Sequence, residues 1–197
     1  MDKLRCFIAI ELPQQIKIVL SQLQILLGKE RDNSIKWVNP NNIHLTLKFL
    51  GSINSDSIPL ITDAMKSCIK TTSPFSLSIG DTGAFPNTQS PRVSWVGLKG
   101  DSGALLKLQK QLDQVLSEIG FAPETREFSP HLTLGRIRDG ARSSERKALS
   151  DRITHMKLKA KHLFTVHNIG LIKSELTKQG AIYTQLARAG FTDSLSK

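Results

Sequence analysis

The tetrapeptide His-Leu-Thr-Leu occurs twice in this chain, at His44 to Leu47 and at His131 to Leu134. On an extended strand side chains alternate between faces, so His44 and Thr46 share one face about 6.5–7 Å apart, while Leu45 and Leu47 point the other way. His131 and Thr133 relate to Leu132 and Leu134 in the same manner. Each copy is a polar pair with an apolar back. Imidazole titrates near 6.5, so two of them can divide acid–base work near neutral pH. One takes a proton from water and the other gives one to a leaving oxygen. Two threonine hydroxyls can donate to the non-bridging oxygens of a phosphate. A lone His-x-Thr among five histidines carries little weight, but a repeated tetrapeptide in matching surroundings carries more. The competing readings are two structural histidines kept from an old duplication, and a metal site. The motifs bring no carboxylate or cysteine with them, and two imidazoles alone make a poor closed metal site. No metal and no cofactor are expected.

Positioning two such strands against each other requires a repeat, and the flanks repeat in character. Leu4 to Leu12 reads as a strand. Pro13 then opens a helix with Ile16, Val19, Leu20, Leu23 and Leu26 at three-four spacing. Ile35 to Val38 is extended, 39–42 is a turn, and Ile43 to Leu50 is a strand ending at Gly51. Ser55 to Cys68 is a helix and Phe75 to Gly83 is extended. After a connector at Phe85 to Pro91 the order recurs. Val93 to Leu98 is a strand, and 99–101 a turn. A helix with Leu105, Leu108, Leu112, Val115, Leu116 and Ile119 inward ends at Gly120. Thr125 to Phe128 is extended, and Pro130 leads into the strand His131 to Ile137. Ser143 to Met156 is a helix, Leu163 to Ile172 a strand, 178–180 a hairpin turn or flexible loop, and Ala181 to Ala189 the last strand. The tail from Asp193 is expected to fray. The predicted fold is α+β. A single bilobal domain spans 1–197, with an internal repeat over roughly 1–85 and 92–190. Its two pseudo-symmetric β-α-β-α-β-like lobes have antiparallel sheets forming a central cleft and helices outside.

The chain has 197 residues, 39% of them hydrophobic, which is enough for a real core without staples. Two cysteines, Cys6 and Cys68, make neither a disulfide framework nor a zinc site. Phe7 to Ile10 is too short for a signal-peptide core and Glu11 follows it at once. No stretch approaches the ~20 apolar residues of a membrane span. These features predict a cytoplasmic protein with reduced thiols. The net charge of +10 draws it to polyanions, nucleic acid foremost. Arg136, Arg138, Arg142, Arg146, Lys147, Arg152, Lys157, Lys159 and Lys161 concentrate that charge. A solubilising helix face explains such a run equally well.

The longer strings around the motifs resemble the 2H phosphoesterases, named for two H-x-[TS]-x motifs. Within them the chain looks like the bacterial and archaeal RNA 2′,3′-cyclic phosphodiesterases, also called 2′-5′ RNA ligases (the LigT/ThpR group). The likeness is carried by the opening strand 5–13, by 36–51 around the first motif, by Pro91 to Leu98, and by Phe128 to Arg136. It implies hydrolysis of an RNA 2′,3′-cyclic phosphate end, such as that of a tRNA half, to a 2′-phosphomonoester without a metal. It also implies a possible reverse 2′-5′ ligation. In the family His44 would be the proton donor and His131 the proton acceptor. Thr46, Thr133 and Arg136 would hold the phosphate. The near-symmetric motifs do not by themselves assign donor and acceptor. A monomer is the simplest state.

Other readings stay open. The chain could act on 2′-5′ oligonucleotides, or be an RNA-binding module of the same fold without turnover. Phe49, Trp37, Phe85 and Phe128 could stack on a base, with a core role as the ordinary expectation for each. Lys48 and Arg126 could line the groove, with solvated charges the default. His155, His162 and His167 have no assigned part.

Overall fold

The computed structural model describes residues 3–28, 33–158, 162–178 and 180–191. Nine strands and four α-helices are defined among them, with short 3-10 turns at Pro40–Asn42 and Ser55–Ser57. In chain order they are β1 (Lys3–Glu11), α1 (Gln14–Leu26), β2 (Ile35–Trp37), β3 (His44–Asn54), α2 (Ile58–Ile69), β4 (Phe75–Phe85), β5 (Val93–Gly100), α3 (Ser102–Glu118), β6 (His131–Ile137), α4 (Ser143–His155), β7 (Leu163–Val166), β8 (Asn168–Thr177) and β9 (Gly180–Gly190). They form two antiparallel sheets, ordered β3-β1-β8-β9 and β2-β6-β5-β4-β7. Each sheet carries one motif strand.

The helices lie where the apolar spacing put them. On α1, Ile16, Leu20 and Leu23 are buried. Leu26, expected inward, is 63% exposed, and Leu27 is buried in its stead. Pro59 sits in the first turn of α2, where its missing N–H costs nothing. Gly120 closes α3 at φ +96°, and the Phe121 N–H donates back to the Leu116 carbonyl at 3.0 Å. Side chains from all four helices and both sheets join one buried cluster. The central strand β1 is apolar on both faces. Cys6, Ile8 and Ile10 face that cluster, and Phe7 and Ala9 face the other way, with Ile172 and Tyr183. Both cysteines are free and buried, and burial pushes the Cys68 thiol up to about 11.

Four expectations are corrected. Leu163 to Ile172 is not one strand. The chain changes sheets at His167, so that β7 pairs with β4 and β8 pairs with β1. Thr125 to Phe128 pairs with no strand. Gly51 does not end β3. It sits within the strand at φ +69°, beside a bulge that leaves Leu50 between the pairs Phe7–Phe49 and Cys6–Gly51. Finally, each sheet draws strands from both halves of the sequence. β2 and β4 lie with the second motif, and β8 and β9 with the first. The turn residue 179, the tail beyond Phe191, and Lys159 and Lys161 of the basic run lie outside the described residues. Among the described residues no helix is long and apolar enough to cross a membrane.

Candidate active site

The two motifs face one cleft of about 1050 Å³. His44, Thr46, His131, Thr133 and Arg136 all line it, so the structure brings together the five residues the sequence offered for catalysis and phosphate binding.

Arg136 reaches the cleft through a bulge. It lies three residues beyond Thr133, and on a regular strand that spacing would put it on the opposite face. In the pairing of β5 with β6, Trp95 meets Thr133 and Ser94 meets Gly135, which leaves Leu134 as an extra residue. The first motif has the same device. Ala9 meets Thr46 and Ile8 meets Lys48, which leaves Leu47 extra. The last leucine of each motif is therefore a bulge that shifts the alternation by one. Gly135 and Lys48 turn inward, Lys48 to 6% exposure. Arg136 and Phe49 turn to the cleft.

Both imidazoles are oriented alike. His44 Nδ1 lies 2.8 Å from the Asn42 carbonyl, and His131 Nδ1 lies 2.7 Å from the Ser129 carbonyl. A carbonyl only accepts, so Nδ1 carries the hydrogen in both rings. Nε2 of each is then left to accept a proton when the ring is neutral or to give one when it is charged. Aromatic walls hold the rings. His44 stacks on Phe7 with centroids 4.5 Å apart, and Tyr183 meets it edge-on at 5.2 Å. His131 meets Phe85 edge-on at 4.8 Å, with Trp95 at 6.3 Å. Burial between these rings holds His44 below the ordinary imidazole value, partly opposed by the Asn42 carbonyl. Burial raises the Tyr183 phenol, while Arg136 and Arg5 pull it back.

The cleft is positive. Arg5, Lys36 and Arg136 line it, and no described carboxylate does. Among the described residues no group of three or more His, Cys, Asp or Glu is placed to hold a metal ion. Two arginines of the basic run are spent elsewhere. Arg146 donates to the carbonyls of Pro91, Arg138, Asp139 and Ala141, and Arg138 donates to that of Asn33 at 2.9 Å. Those arginines tie loops together.

Of the aromatic candidates, Trp37 packs on the core and also lines the cleft, Phe128 packs on the core and Phe85 backs His131. Phe49 is 66% exposed at the cleft, against the expectation of a core role. Lys48 does not line the groove. It is buried in an ion pair with Asp113. Sequence reasoning missed Tyr183, the chain's single tyrosine. Only the pairing of β8 with β9, which sets Tyr183 opposite Ser174, puts it beside His44. Arg5 and Lys36 were missed for the same reason, since both stand on strands whose neighbours the sequence does not name.

Residues 10–95 and 96–183 each match the family described as LigT-like phosphoesterase. The RNA 2′,3′-cyclic phosphodiesterase of Methanothermobacter thermautotrophicus is 34% identical over 184 residues, covering 93% of this chain and 97% of that protein. The protein of that name from Aquifex aeolicus is 31% identical over 187 residues, covering 93% and 95%. A solved structure from Thermus thermophilus superposes with a TM-score of 0.78 at 25% identity, covering 96% of this chain and 99% of that one. Escherichia coli LigT complexed with 3′-AMP shares the fold, with a TM-score of 0.73 at 24% identity over 98% of this chain and 100% of that one. With both halves of the motif repeat matched, the chain belongs to the LigT-like phosphoesterase family.

Proposed function

We propose that this protein hydrolyses RNA ends bearing a 2′,3′-cyclic phosphate to 2′-phosphomonoesters. The observation that carries the reading is the pair of imidazoles with matching tautomers. Their free Nε2 atoms belong to two His-Thr pairs lining one cationic cleft. The activity named for the relatives supports the substrate. His131 Nε2 takes a proton from water, whose oxygen bonds to phosphorus. The bond from phosphorus to the 3′ oxygen breaks, and His44 gives its Nε2 proton to that oxygen. Thr46 and Thr133 donate to the non-bridging oxygens, and the fixed charge of Arg136 offsets the charge that develops on them. Burial disfavours a charged His44 in the free protein. An anionic phosphate beside it acts in the opposite sense, so the proton to be donated is taken up with the substrate. No step calls for a metal. A 5′-hydroxyl in place of water would give a 2′-5′ linkage, but water at ~55 M favours hydrolysis unless the ends are held together.

Phe49 offers a ring to the base of the terminal nucleotide, since an exposed aromatic at a cleft is a natural stacking surface. A single bilobal unit with a repeat over roughly 1–85 and 92–190 belongs to the same reading. The mirrored bulges and the paired family matches support that duplication. A tRNA half as the natural end, a monomeric state and a cytoplasmic location complete it. The test is a short RNA with a 2′,3′-cyclic phosphate, incubated with the protein in EDTA and analysed by phosphorus NMR. A 2′-phosphate product is expected. A 3′-phosphate, or an unopened ring that opens only when a divalent metal is restored, would refute the reading.

A further inference from the structure

Lys48 has no part in the chemistry above, yet among the described residues it is the one charged residue that is buried. The bulge at Leu47 turns it under the sheet, away from the cleft. There its ammonium meets the Asp113 carboxylate on α3 and donates to the Ala122 carbonyl at 2.6 Å. Both oxygens of Asp113 also accept from the Glu124 N–H, each at 3.2 Å. A residue adjoining the first motif thus grips 122–124, the start of the segment that leads to the second motif. That segment contains Ser129, whose carbonyl sets the tautomer of His131.

The reverse relation is built differently. Gly135 holds the place after the second motif that Lys48 holds after the first. A Cβ there would fall 2.8 Å from Ile35 Cγ2 and 2.9 Å from Trp37 Cε3. With no side chain in the way, β2 lies directly on β6. It then leads through the turn 40–42 to Asn42, whose carbonyl sets the tautomer of His44. Each motif strand therefore holds the approach to the other motif. One approach is held by a strand ladder. The other, 122–130, pairs with no strand; Lys48 and Asp113 hold its start at Ala122 and Glu124, and Phe128 packs on the core.

We propose that Lys48, through Asp113, is a positioning residue for His131. By fixing 122–124 it keeps the Ser129 carbonyl on His131 Nδ1 and so aims Nε2 into the cleft. The consequence for rate rests on the two-histidine reading. The consequence for the tautomer does not, because it is measured without substrate.

The test is Lys48→Met in the full chain, with each histidine followed by long-range proton–nitrogen NMR. His131 is expected to lose its single Nδ1–H tautomer and become a mixture, while His44 keeps its own. The single-turnover rate on the cyclic phosphate is expected to fall about tenfold to a hundredfold with KM within about twofold, the penalty of a catalytic group set about 1 Å out of place. Removing one partner of a buried pair can unfold a protein, so Lys48→Met with Asp113→Leu is the second variant. Apolar replacement of both partners is commonly tolerated, and it still severs the hold on Ala122 and Glu124. The same selective change at His131 is expected. Wild-type tautomer and rate in the folded double variant would overturn the proposal, as would an equal disturbance of both histidines.

Discussion

Gln24 supplies the sharpest test of how the two motifs are joined. Its side chain is fully buried on α1. Its amide nitrogen donates to the Val38 carbonyl at 2.7 Å and to the Leu134 carbonyl at 2.9 Å. One residue thus binds the chain entering the first motif to the bulged leucine of the second. Gln24→Met keeps the length of the side chain and removes both donors. Leu134 still accepts from the Val38 N–H at 3.0 Å, so its loss is that of one ordinary bond, about 0.5–1.5 kcal/mol. The Val38 carbonyl, part-buried, loses this donor at about 1–3 kcal/mol. The total is about 1.5–4.5 kcal/mol. A chain of this size changes Tm by about 2–4 °C per kcal/mol, so thermal unfolding followed by circular dichroism should shift down by about 3–18 °C. A shift smaller than about 2 °C would refute the reasoning.

Two other consequences concern the cleft. The His44 imidazole should titrate below 6.5 by NMR in the free protein, because burial favours its neutral form. Its midpoint should rise when inorganic phosphate binds, and a midpoint at or above 6.5 without phosphate would contradict the burial. The same depression means that His44 contributes stability above pH 6.5 that is lost as the pH falls through its folded value, because the unfolded chain takes up the proton first. Phe49→Ala should raise KM for the RNA about fivefold to a hundredfold, as expected for the loss of about 1–3 kcal/mol of stacking. It should leave kcat within about twofold, and an unchanged KM would remove Phe49 from the binding surface.

The helices, most strands and the polar pairs of the site were legible because their signals are local. Three-four spacing marked α1 to α3, and the repeated tetrapeptide marked both motif strands. What was not legible depends on partners distant in sequence. The change of sheet at His167 is hidden in the strand-like stretch Leu163 to Ile172, whose polar His167 and Asn168 do not by themselves say that the partner strand changes. The exchange of β2, β4, β8 and β9 between sheets follows from packing, not from period. The fates of Lys48 and Phe49 turn on one extra residue at Leu47, which alternation alone assigns to the wrong faces. A signal was nonetheless present. Thr133 and Arg136 cannot share a face of a regular strand, so a phosphate-binding role for Arg136 already asked for a bulge between them. The structure places it at Leu134, and the matching one at Leu47. The basic run left its use open, and the structure divides it: Arg136 lines the cleft, while Arg138 and Arg146 satisfy backbone carbonyls, which composition does not reveal.

The most direct measurement of the central claim is single-turnover opening of a 2′,3′-cyclic phosphate RNA by the wild type, His44→Ala and His131→Ala side by side. If the two imidazoles are the acid and the base, each variant loses at least about a hundredfold in rate while still binding RNA. Either variant turning over within tenfold of the wild type would contradict the two-histidine mechanism.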